Sequence, residues 1–175
     1  TLDKYSKETN SLSQLNQINE IESISNLIFI KYKNGEGVNN EMLLLESLLP
    51  QNKKAVYEKL NLLQYKKFYG VTSLAEELNT SIKKYSKNNF TRHYSNNSML
   101  IFLSKFISIK PRNIGIYQDK ELNKIMLAKK YMELEDINLC LNHILLLENS
   151  DKFFIEWIEQ AKIFLEFKST IEQVK

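Results

Sequence analysis

The chain has 175 residues, 43% hydrophobic and 26% charged, enough for one domain with a buried core and a charged surface. Four glycines and two prolines argue against a many-turned β-sandwich, a single cysteine excludes an internal disulfide or a cysteine-based zinc cluster, and no apolar run approaches the roughly 20 residues that cross a bilayer. The net charge of +3 selects no partner by itself, and a start at Thr1 in place of Met points to a piece of something longer.

Residues 1–11 are polar and read as a frayed extension, followed by a single helical domain over 12–175. From Leu12 the apolar positions recur every third residue through Leu15, Ile18, Ile21, Ile24 and Leu27. Against a 3.6-residue period each step lags by about 60°, so the stripe winds around the helix and cannot sustain a coiled-coil seam. Asn34-Gly35-Glu36-Gly37 lacks the spacing and the Lys-Ser/Thr of a phosphate loop and predicts a helix C-cap and turn. A short helix follows, capped by Asn39 or Asn40 and stopped by Pro50. The next helix spans about Lys53 to Phe68, with Val56, Leu60 and Leu63 on one face, and ends at Gly70. Ser73-Leu74-Ala75-Glu76 has the form of a capping box, opening a helix with Leu74, Leu78, Ile82 and Tyr85 on one side.

Residues 87–97 are polar and Asn-rich and read as a loop. The most apolar stretch, Met99 to Ile109, is closed by Lys110-Pro111-Arg112; a lone strand there would lack a partner, so it reads as an amphipathic helix. The last third predicts three helices, about Lys120–Leu134, Asp136–Leu147 and Asp151–Val174, with Asp136 and Asp151 as N-caps. Phe154, Trp157, Ile158, Ala161 and Leu165 form the apolar stripe of the last one. The fold class is all-α, an irregular bundle of about seven helices with a tetratricopeptide-like helix pair near the C-terminus.

The charge is uneven along this series. Residues 1–50 carry four lysines against seven acids, residues 51–112 twelve bases against three acids, and residues 113–175 eight bases against eleven acids. No acid lies between Glu77 and Asp119, a stretch that holds Lys83, Lys84, Lys87, Arg92, Lys105, Lys110 and Arg112. Such a run attracts an anionic surface, unless acidic neighbours neutralise it in the fold. Arginine supplies only two of those charges, so specific base readout is poorly supported. No catalytic constellation is evident. His93 and His143 are the only histidines, and Cys140 with His143 gives two metal ligands where a closed site needs more. We expect no enzyme activity, metal, cofactor or small-molecule substrate.

Taken in order, these landmarks resemble the C-terminal domain of the mitofilin family, alphaproteobacterial type. The family's glycine turn and short helix with "Glu-Leu-x-x-Leu" are matched by Gly35 to Leu49 with Glu41-Met42-Leu43-Leu44-Leu45. Its "Gly-Val-Pro-Ser-Leu" is matched by Gly70-Val71-Thr72-Ser73-Leu74, and its basic "Val-Arg-Arg" end by Ile109-Lys110-Pro111-Arg112. Its "Ala…Gly-Asp…Ala" helix pair is matched by Ala128, Glu135-Asp136 and Cys140, and its Trp-containing helix by the region of Trp157. Thr72 stands in place of proline, Glu135 in place of glycine and Lys110 in place of an arginine. The resemblance implies a protein anchored in the inner membrane by an N-terminal segment missing here, with this domain in the periplasm. It further implies membrane organisation, contact-site formation and homo-oligomers rather than catalysis. In that picture Phe102, Lys105, Phe106, Lys110 and Arg112 contact an anionic membrane surface, a protein partner or both. A helical adaptor that binds a protein groove without touching lipid is the alternative. A non-specific nucleic-acid binder, resting on Tyr85, Phe90 and Tyr94 interleaved with the basic run, is a third class.

Overall fold

In a computed structural model, the described residues are 2–93 and 120–175, with side chains described over 13–88 and 120–175. Every regular element among them is helical: α1 (Leu2–Lys33), α2 (Asn39–Leu48), a 3-10 turn (Gln51–Lys53), α3 (Lys54–Gln64), α4 (Val71–His93), α5 (Lys120–Glu133), α6 (Ile137–Leu145), α7 (Ser150–Phe153) and α8 (Ile155–Val174). The expected all-α bundle is therefore present. Its contacts gather into two compact units, residues 1–70 with 163–175 and residues 71–162.

In the first unit, α1 is helical from Leu2, ten residues before the apolar stripe begins. The winding of that stripe has a visible consequence. Leu15 and Ile18 are exposed, and the buried line is Ile21, Ser25, Ile28 and Tyr32, spaced i, i+4, i+7, i+11. The helix ends where the glycine turn predicts. Gly35 has φ 79°, its N–H donates to Tyr32 O (2.9 Å), and the Glu36 N–H donates to Lys31 O (2.9 Å), a Schellman cap. Gly70, at φ 95°, lies against this turn so closely that a Cβ on either glycine would meet the other segment's backbone within 3 Å. The α2 N-cap is Val38, without a side-chain cap bond, so Asn39 and Asn40 lie inside the helix's first turn. The predicted 53–68 helix is shorter, a 3-10 turn leading into α3, which stops at Gln64. Tyr57 joins Leu60 and Leu63 in the core, and Val56 is only half-buried.

An aromatic cluster closes this unit. The Tyr32 ring stacks on Phe167 (centroids 3.6 Å) and Phe68 (4.9 Å), and Phe164 meets Phe68 (5.4 Å) and Phe29 (5.9 Å). Such pairs each contribute about 0.5–1.5 kcal/mol beyond burial. Lys59 and Lys66 both reach Glu166 (3.0 and 3.5 Å), and Lys53 Nζ donates to the last-turn carbonyl of Val174 (2.6 Å), where the helix dipole favours a cation.

In the second unit, α4 begins at Val71, two residues before the predicted capping box, so Ser73 sits within its first turn. Its far end also departs from expectation. The helix continues through the Asn-rich residues as far as His93, so 87–93 are not a loop. Asparagine costs only a few tenths of a kcal/mol in a helix, and without Gly or Pro nothing in that stretch stops propagation. Residues 94–97 of the predicted loop, and the predicted helix over 99–110, lie outside the described residues.

The helix pair expected near the C-terminus is α5–α6. Its link is tight because two caps share it. Glu135 adopts φ 56° and closes a Schellman cap on α5, with Glu135 N–H to Met132 O (3.0 Å) and Asp136 N–H to Tyr131 O (2.9 Å). Asp136 then caps α6 as predicted, its carboxylate accepting from Leu139 N–H (3.0 Å). Glu135 thus holds a left-handed backbone, a conformation that glycine adopts without strain and that a residue with a Cβ adopts at a cost. Asp151 is not an N-cap. It lies in the single turn α7, which Asn149 precedes at φ 54°, and the long helix starts only at Ile155. Trp157, fully buried, donates from Nε1 to Leu74 O (3.0 Å) and joins the start of α8 to α4.

Candidate functional site

The part of the basic run that can be placed lies on α4. Leu74, Leu78, Ile82 and Tyr85 turn one side of that helix into the core, which leaves Lys83, Lys84 and Lys87 exposed to solvent. Tyr85 fixes this helix against α5. Its ring makes an edge contact with Phe153 (5.5 Å) and a tilted one with Phe154 (5.6 Å), and its hydroxyl donates to Glu121 (2.8 Å). Glu121 also accepts from Lys124 Nζ and from Glu148 N–H (3.4 Å), and Lys124 donates onward to Leu146 O (2.7 Å). Burial pushes the Glu121 carboxyl up, but these donors outweigh it and hold the group below its ordinary value.

Beside this hub, a cleft of about 350 Å³ opens between α4, α7 and the start of α8. Lys84 and Lys152 supply two cations to its lining, Glu77 and Glu156 two carboxylates, and Phe153 and Ile155 an apolar wall. Glu77 is engaged from below by the amide of buried Gln160. A second cleft, about 230 Å³, lies in the first unit at the Gly35–Gly37 turn and is lined by Tyr32, Gln64 and Phe68 among others. The Tyr32 hydroxyl and Gln64 Oε1 are buried there without hydrogen-bond partners.

The residues with reactive potential lie apart from both clefts. Cys140 is fully buried, and its thiol is pushed up to about 12 by burial and by the Asp136 charge, which keeps it protonated and unreactive. His143 stacks flat on Tyr131 (5.4 Å) with Nδ1 buried and unpaired. Among the described residues no three His, Cys, Asp or Glu side chains gather as metal ligands, and no helix is long and apolar enough to cross a membrane.

The predicted contact residues Phe102, Lys105, Phe106, Lys110 and Arg112 all lie outside the described residues. Sequence reasoning found Lys84 through the acid-free run. It missed Lys152, Glu156 and Glu121, whose neighbours on α4, Lys84 and Tyr85, are 36 to 72 residues away in sequence and leave no local pattern. No family model matches the chain, and no curated protein or solved structure is similar to it.

Proposed function

We propose that this chain is a non-catalytic membrane-organising or contact-site protein, whose helical domain engages an anionic membrane surface or a protein partner and self-associates. The observation that carries the reading is the acid-free stretch between Glu77 and Asp119 with seven bases, of which Lys83, Lys84 and Lys87 stand exposed on α4. Clustered lysines of this kind are worth about 1 kcal/mol each near an anionic surface at moderate salt. In this reading the protein is of mitofilin type, held at the inner membrane by a segment preceding the domain, with the domain itself on the periplasmic side. A protein-binding adaptor without lipid contact is the second reading. It draws on Leu145 and Leu146, which stand exposed at the end of α6.

Co-sedimentation with vesicles tests the two. The membrane reading expects binding to phosphatidylglycerol vesicles that falls with salt and is lost when Lys105, Lys110 and Arg112 are reversed to Glu. It fails if that triple variant binds vesicles and self-associates like the parent. An absence of vesicle binding by the parent, with a monomer that captures a protein partner, would establish the adaptor reading.

A further inference from the structure

The turn between α1 and α2 leaves backbone donors without acceptors. Val38, the α2 N-cap, has no side-chain oxygen to offer, and the N–H groups of Gly37, Val38 and Asn39 have no acceptor among the described residues. Glu41, the acid of that first turn, is taken up by Lys31 Nζ (2.6 Å) and by its own N–H. Gly37, Val38 and Asn39 line the first-unit cleft of about 230 Å³. Two side chains of the same cleft are also unsatisfied. Tyr32 is 4% exposed, and its hydroxyl and Gln64 Oε1 are buried without a hydrogen-bond partner. Unpaired buried atoms destabilise the free protein, and a guest that pairs them recovers that free energy.

The lining holds donors and acceptors but little charge. The Tyr32 hydroxyl and the free N–H groups donate, and Gln64 Oε1 accepts. Glu36, which accepts from the Asn34 amide (3.3 Å), is the only charged side chain of this lining among the described residues. A carboxylate here would meet the Glu36 charge and leave Gln64 Oε1 without a donor. An amidinium would leave the N–H groups without an acceptor, at a helix end whose dipole opposes a cation. A neutral group with one acceptor and one donor satisfies both sides. Tyr65 and Phe68 add an apolar wall, and the volume, below the roughly 300–1,000 Å³ of drug-sized sites, suits a single ring.

We propose that this cleft binds a small neutral aromatic carboxamide. Its carbonyl oxygen accepts from the Tyr32 hydroxyl and from one N–H at the start of α2, because such an oxygen has two lone pairs. Its NH₂ group donates to Gln64 Oε1, and its ring lies against Tyr65 and Phe68. Both buried atoms are closed to water in the free protein; Gln64 is half-buried, and a turn of its side chain opens them to the guest. The inference concerns the first unit alone, goes beyond the proposed function and does not depend on it.

The test is a titration of ¹⁵N-labelled protein with three compounds of one shape: benzamide, benzoate and benzamidine. They offer, in that order, an acceptor with a donor, acceptors alone, and donors alone. The expected result is a set of amide shifts confined to residues 32–39 and 64–68, with benzamide binding at least about tenfold more tightly than either charged analogue. Tyr32→Phe and Gln64→Met, close in shape to the parent side chains, each weaken benzamide binding about tenfold while amides away from the cleft stay in place. Tyr32→Phe also separates binding from folding, since it removes an unpaired buried hydroxyl and should lose affinity without losing stability. The proposal is overturned if benzamide leaves the cleft amides unmoved, if benzoate or benzamidine binds as tightly, or if Tyr32→Phe binds benzamide like the parent. No arm contains lipid or a protein partner, so the basic-run reading stands or falls separately.

Discussion

Gly35→Ala should be among the most damaging single-methyl changes in the first unit. At φ 79° an alanine at this position costs about 1 kcal/mol more than glycine for its left-handed backbone alone. The added Cβ would also lie 2.4 Å from the Tyr69 carbonyl oxygen and 2.6 Å from its carbon. Those atoms are backbone and cannot swing aside, so the α1–α2 turn or the segment entering α4 has to shift, an overpacking cost of about 1–3 kcal/mol. The sum, about 2–4 kcal/mol, is read from the urea midpoint at unchanged m-value. Gly70→Ala should cost a similar amount, since its Cβ would meet Asn34 C at 2.7 Å and Gly35 N at 2.8 Å. The double variant should cost less than the sum, because the first displacement opens the gap for the second methyl. Gly37→Ala is the internal control. A Cβ there meets nothing within 4 Å and its φ lies outside the left-handed region, so its effect stays within about 0.5 kcal/mol of zero or is slightly stabilising. A cost under about 1 kcal/mol for Gly35→Ala, or an equal cost for Gly37→Ala, would mean that the Gly35 turn does not pack on the Tyr69–Gly70 backbone in solution.

Three other outcomes follow from particular side chains. Tyr32→Phe removes a buried hydroxyl that has no partner, so it should raise stability by about 1 kcal/mol in urea denaturation; a loss of that size would mean that the hydroxyl is hydrogen-bonded in solution. Glu121 is held below its ordinary value in the fold, so its contribution is present above the unfolded carboxylate range near 4.5 and is lost as pH falls through the lower folded value. Glu121→Gln should therefore flatten the stability-versus-pH curve below about pH 4.5, and a curve parallel to the parent's would contradict the hub. Cys140, with its thiol raised to about 12, should react with a thiol reagent at pH 8 only as fast as the protein opens; prompt labelling of native protein would place it at the surface.

Much of the helical framework could be read from local signals, because those signals are themselves local physics. Asp136 is a short acceptor before an apolar run and caps α6; Gly35 is the one residue type that closes α1 in a left-handed turn without strain. Leu74, Leu78, Ile82 and Tyr85 share a face because the helix repeats every 3.6 residues, whatever they pack against. Misreadings arose where a local motif met a competing long-range contact. Ser73 and Glu76 have capping-box spacing, yet α4 starts at Val71, immediately after Gly70 packs its backbone on Asn34–Gly35. Asp151 is a good cap by type, yet Phe154 is fully buried against Tyr85 and the long helix begins only after it. Asn-rich composition suggested a loop over 87–93, but with its first four turns anchored by Leu74 to Tyr85, α4 continues at small cost per residue. The site follows the same division. Lysines on one helix are visible as a run in sequence, but the cleft depends on Lys84 meeting Lys152 and Glu156, and that meeting is made by Trp157 Nε1 on Leu74 O, Tyr85 on Phe153 and Gln160 on Glu77. None of those three contacts joins residues closer than 68 apart in sequence, so the charges around that cleft are set by core packing rather than by any motif.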